Sequence, residues 1–298
     1  MTTNNTKQKI LHSALVKIIL GVIIVLASVI IGQQIFLIIP GVSLLNSEVR
    51  NFIKGFFVST LAIGSYWLLY RKYEHRVITE LSTNVLWKKL LTGIFIGSGL
   101  QLLTNLIIYL FGGFTIIAVN PITAIIIPFT VAFTVAILEE ILLRGIVFRI
   151  TEEKWGSTIA LITSGLIFAG LHLVNPHVTI ISILCITAVG VLLGAAYMYY
   201  RSLWVPIAIH FAWNFTQNGI FGAITSGNEK TSTLLTTQIT GPEVLTGGQF
   251  GPEGSIEAVL FWLIAAICVL IQLYKQNKII KPKALLFGSK ATYQAGLR

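Results

Sequence analysis

From Val131 to Ile150 the chain reads VAFTVAILEEILLRGIVFRI, an apolar run long enough to cross a bilayer that still carries Glu139, Glu140 and Arg144 near its middle. Each ionisable residue at the centre of a membrane helix costs about 2.5 to 3.5 kcal/mol on insertion scales, so three within six positions demand a reason. On a helix Glu140 and Arg144 are four apart on one face, in the acid-before-base order that favours pairing, while Glu139 points roughly 100° away. The bland account is a structural ion pair with a spare protonated carboxyl. The sharper one leaves Glu139 for chemistry.

The composition fixes the setting of that run. Of 298 residues 55% are hydrophobic and 11% charged, against about 25% charged in an ordinary soluble domain. Mean hydropathy is +0.83. Apolar segments of spanning length recur at Ile18 to Ile39, Asn51 to Tyr70, Leu90 to Phe111, Ala124 to Ile150, Thr158 to Leu173, Val178 to Tyr199, Leu203 to Phe221 and Ala258 to Tyr274. The expected fold is therefore an all-α membrane protein of about eight transmembrane helices. The net charge of +10 does not point to nucleic acid, because the basic residues flank the spans in small groups and form no single patch. With the N-terminus in the cytoplasm, eighteen of the 21 lysines and arginines fall on the cytoplasmic side and only Arg50, Lys54 and Lys230 outside. The positive-inside rule then sets both termini in the cytoplasm of a multi-pass cell-membrane protein, with the lipid bilayer as its surroundings. Cys185 and Cys268 sit singly inside apolar spans and suggest neither disulfide nor thiolate metal site.

The chain divides into a cytoplasmic segment 1–17, N-terminal membrane helices 18–123, a polar-bearing core 124–221, an external loop 222–257, a last span 258–274 and a basic tail 275–298. Pro121 and Pro128 predict a bent start to the acidic helix. The loop, rich in Gly, Thr and Ser and including GGQFGPEGS, reads as a flexible linker in preference to a lid. Two further core segments carry intramembrane polar residues. His172 follows Phe168 by four in SGLIFAGLHL, and Asn214 follows His210 by four in IAIHFAWNF, so each pair shares a helix face. At about 1.5 Å per residue from the cytoplasmic helix ends, Glu139 lies roughly 16 Å deep, His210 and Asn214 roughly 9 and 15 Å, and His172 roughly 21 Å. These depths allow convergence in an intramembrane polar cavity, expected to open to the cytoplasm.

The three motifs in order, Glu139-Glu140-x-x-x-Arg144, Phe168-x-x-x-His172 and His210-x-x-x-Asn214, resemble those of the CPBP family, which comprises type II CAAX prenyl endopeptidases and bacteriocin-processing and immunity-type membrane proteases. The resemblance covers about Ala124 to Phe221. It implies an eight-helix intramembrane glutamate-type endopeptidase acting on a membrane-associated protein or peptide. By position Glu139 with His172 would activate water, Glu140 and Arg144 would organise the helix, and His210 with Asn214 would stabilise the oxyanion. On chemistry alone, a carboxylate beside an imidazole can serve as a base for water, and amide or imidazole N–H groups can serve an oxyanion. Glu139, His172 and His210 could equally hold zinc. The metal-free reading, with no cofactor, is preferred because the spacing matches no helix-borne zinc motif. A silent immunity or scaffold protein and a proton-coupled transporter are the alternatives from other classes.

Overall fold

The structure, a computed structural model, describes residues 13–282. Residues 1–12 and 283–298, which hold most of the expected N-terminal segment and basic tail, lie outside the described residues. The chain is mostly helical. In order come α1 (Ala14–Ile38), α2 (Ser47–Tyr73), α3 (Leu86–Leu110), the strand β1 (Phe114–Val119), α4 (Ile122–Trp155), α5 (Ser157–Leu171), α6 (Ile180–Tyr200), α7 (Trp204–Asn214), the strand β2 (Leu235–Ile239) and α8 (Ile256–Lys275). Six of these, α1 to α4 with α6 and α8, are long and apolar enough to cross a bilayer. α5 and α7 are shorter, and α7 is continued by a wide π-helical stretch, Phe215–Ile220.

Local chemistry explains where the helices begin. Asn46 caps α2 through the Val49 N–H at 2.8 Å, and Thr179 with Ser182 forms a reciprocal capping box at the start of α6. The proline-bracketed start of α4 is a tight 3₁₀ turn, Ile122–Ile125, after which Ile126–Glu140 is α-helical. At Ile141–Phe148 the helix widens to a π stretch before resuming at Arg149–Trp155. Such widenings are rare and cluster at functional sites. This one starts directly after the two glutamates.

The core is packed against the preceding helices, α2 lying against α4 and α3 along α7. Gly93 and Gly97 make the second contact close. A Cβ on Gly97 would stand 2.3 Å from the Ile209 carbonyl oxygen, and one on Gly93 would stand 2.5 Å from the Ala208 Cβ. The backbone that carries His210 is thus held directly on α3.

One end of the molecule gathers the basic residues. Lys17, Arg76 and Arg149 converge on Glu74 at 3.0, 3.0 and 2.9 Å, Arg76 and Tyr66 bind Glu80, and Arg201 binds Glu152. Burial pushes the Glu74 and Glu80 carboxyls up. For Glu74 the charge of Arg149, with Lys17 and Arg76, outweighs burial, and for Glu80 the hydrogen bonds of Arg76 and Tyr66 do, so both end below the usual carboxylate range.

The opposite end carries the departure from an all-helical fold. β1 pairs antiparallel with β2, with Phe114 opposite Ile239 and an irregularity between Ile116 and Ala118. Asn120 extends the link by donating to the Thr233 carbonyl at 2.9 Å. The 222–257 segment is consequently folded onto the helices, which corrects the linker reading.

Candidate active site

Glu140 and Arg144 are fully buried and paired as their spacing predicts, Arg144 Nη1 donating to Glu140 Oε1 at 2.7 Å. The guanidinium also donates to the Gly190 carbonyl on α6 at 3.0 Å and lies 5.0 Å above the centre of the Phe168 ring on α5. One side chain therefore ties three helices together. Glu139 faces elsewhere, its side chain 29% exposed to a cavity and its Oε2 without a hydrogen-bond partner among the described residues.

His210 stands between the two carboxyls. Its Nδ1 is 3.1 Å from Glu140 Oε1 and its Nε2 is 4.0 Å from Glu139 Oε2. A carboxylate only accepts, so Nδ1 carries the proton in the bond to Glu140. His172 sits just past the end of α5, its Nδ1 2.8 Å from the Phe168 carbonyl oxygen. That carbonyl also only accepts, which assigns the Nδ1 proton and leaves Nε2 of a neutral ring as an acceptor. The Phe168 ring is the shelf between the histidines, 4.7 Å from His172 and 6.0 Å from His210.

Glu139, His172, His210 and Asn214 line one cavity of about 450 Å³. The convergence expected from helix depth is therefore present, though with a different pairing. His210 is the imidazole within ion-pair distance of Glu139, and Glu140 holds His210 as well as Arg144. Among the described residues no three His, Cys, Asp or Glu side chains gather closely enough to hold a metal ion.

Sequence reasoning missed the cavity's roof. Thr225, Ser226, Asn228, Glu229 and Thr231 line it, as does Glu253 from the GGQFGPEGS run. Glu253 is buried. It accepts the indole N–H of Trp213 at 3.0 Å and both the backbone N–H and the hydroxyl of Ser226. An acidic residue amid closely spaced glycines was the available signal.

The roof also bears on where the cavity opens. Its lining takes Pro128 to Glu139 from the first half of α4, Phe168 to Asn175 at the end of α5, and His210 to Asn218 on α7. Past Glu139 the helix is closed by Leu143, Ile146 and Phe148, all buried. The opening therefore lies at the end away from the basic cluster.

Apolar spans around an internal glutamate–histidine cluster define a multi-pass membrane protein. Residues 121–216, which contain all seven named motif residues, match the family model described as type II CAAX prenyl endopeptidase Rce1-like. That match supports the resemblance of this segment to the CPBP family. No curated protein and no solved structure matches the chain significantly.

Proposed function

We propose that the protein is an intramembrane endopeptidase that hydrolyses a peptide bond in a membrane-associated protein or peptide, with α5 and α7 as two shorter spans completing eight. The observation that carries this reading is Glu139, which presents an unpartnered carboxyl oxygen to a cavity shared with two histidines and an asparagine, inside the family-matching segment. Glu139 takes a proton from water as the water oxygen bonds to the scissile carbonyl carbon. The His172 Nε2 is available as a second acceptor. The carbonyl oxygen becomes an oxyanion, for which the Asn214 amide and, in its doubly protonated form, the Nε2–H of His210 are the donors. Collapse breaks the C–N bond and returns the proton to the leaving amine. Glu140 and Arg144 act by holding His210 and the helix in place.

Two measurements test this reading. Membrane proteomes with and without the protein should differ by at least one polypeptide found at full length only in its absence. A precursor pool identical in both would sink the peptidase reading. Purified active protein should hold less than one equivalent of zinc and keep its activity through prolonged chelation. Stoichiometric zinc lost in His172→Ala and His210→Ala, with chelator inhibition reversed by added metal, would reassign Glu139 and both histidines to metal ligation.

A further inference from the structure

The two ends of this molecule differ in kind. At one, Lys17, Arg76, Arg149, Arg201 and Lys278 are drawn together by bonds to Glu74, Glu80, Glu152 and the backbone. At the other stand the β1–β2 pair and the 222–257 segment, and the basic residues of that side are Arg50, Lys54 and Lys230. The bias that sets orientation in a bilayer counts lysines and arginines outside the span interiors, and with the buried Arg144 left out it is seventeen to three. It places the basic end in the cytoplasm.

The cavity belongs wholly to the other end. From Ile126, where the regular α-helical part of α4 begins, down to Glu139 is roughly 20 Å along the helix, and the lining follows that half of it. Below Glu139 the way to the cytoplasm is filled by the Arg144–Glu140 pair and the packed π stretch of α4. Above it the rim is polar, with Asn175, Asn218, Asn228 and Thr231. Amides and hydroxyls so placed offer donors and acceptors to an extended peptide backbone. The rim is also tethered, since Glu253 fastens the Ser226 turn to Trp213, the neighbour of Asn214.

We propose that the cavity is loaded from the extracytoplasmic face, so that the substrate is a polypeptide segment already translocated and presented beside the outer leaflet, under the roof formed by 222–257. This rests on the peptidase reading for the word substrate, while the direction of access stands on geometry and charge. A cytoplasmic C-terminal tail cannot reach Glu139 by this route.

Single cysteines read out access without any need for the substrate. In a Cys268→Ser background, with Cys185 buried, Asn228→Cys at the rim, Val135→Cys in the cavity wall and Lys278→Cys at the basic end are treated with a small membrane-impermeant cationic thiosulfonate. Intact cells should label Asn228→Cys and Val135→Cys and leave Lys278→Cys unreacted, and inside-out vesicles should show the reverse. Labelling of Lys278→Cys in intact cells, labelling of the rim and wall from inside-out vesicles only, or a rim cysteine unreactive from both sides overturns the proposal. The readout is independent of turnover. Failure here leaves the proteome comparison to judge the peptidase reading, and failure there leaves the labelling result standing.

Discussion

Glu139→Gln abolishes turnover while the protein continues to insert and accumulate. Glutamine keeps the shape of the side chain, and this side chain has no short ion pair to lose, its nearest being His210 Nε2 at 4.0 Å. The structural carboxylate is Glu140. What disappears is, among the described residues, the cavity-wall carboxyl with a buried unpartnered oxygen beside an imidazole. His172→Ala and the double substitution should reach a similarly low rate, because residues acting as one unit lose function non-additively. His210→Ala and Asn214→Ala should lower turnover more than substrate binding, by about 10² to 10³ for each lost oxyanion donor. The measurement is the ratio of product to uncleaved precursor for the polypeptide identified by proteome comparison, set against membrane abundance. Wild-type turnover in Glu139→Gln would remove that carboxyl from the chemistry.

What the sequence makes legible follows from the reach of helix periodicity. Spacing of four within one helix announces the Glu140–Arg144 pair and puts Glu139 on another face, and both are found as expected. Periodicity is silent about neighbours on other helices. The pairing of His210 with both carboxyls, and the Arg144 bond to Gly190, depend on how α4, α6 and α7 pack. Helix rise likewise gives the depth of a residue without saying from which end the space around it is filled. Here the π stretch of α4 closes the basic side, and no residue pattern announces a π turn.

The 222–257 segment misleads for a different reason. Glycines that suit a flexible linker also suit a strap folded tightly on itself, and Gly247 and Gly251 serve the second purpose. Both have positive φ, and an added Cβ would lie 1.7 Å from the Gly251 carbonyl oxygen in the first case and 2.0 Å from that of Ile224 in the second. Composition cannot separate these uses. The partners that could, Leu235–Ile239 and Phe114–Val119, are distant in sequence.

Arg144→Ala should deplete the folded protein as well as its activity. The guanidinium is fully buried, and its loss strips Glu140 of its charge partner, removes the side-chain donor to the Gly190 carbonyl and uncovers the face of Phe168. Breaking a buried ion pair from one side costs about 3 to 5 kcal/mol, against a total stability of about 5 to 15 kcal/mol for a typical folded domain. Arg144→Lys should recover only part of the loss, because an ammonium lacks the planar fork that reaches Glu140 and Gly190 together. The double substitution Glu140→Gln with Arg144→Met should restore abundance further, since removing both charges leaves no uncompensated one in the core. Activity should not follow, because His210 then loses the carboxylate that fixes its ring. Membrane abundance and thermal stability in detergent, measured beside turnover, separate the two effects. Full abundance and full activity in Arg144→Ala would show that Glu140 does not need its partner, and the division of labour between the adjacent carboxyls would have to be given up.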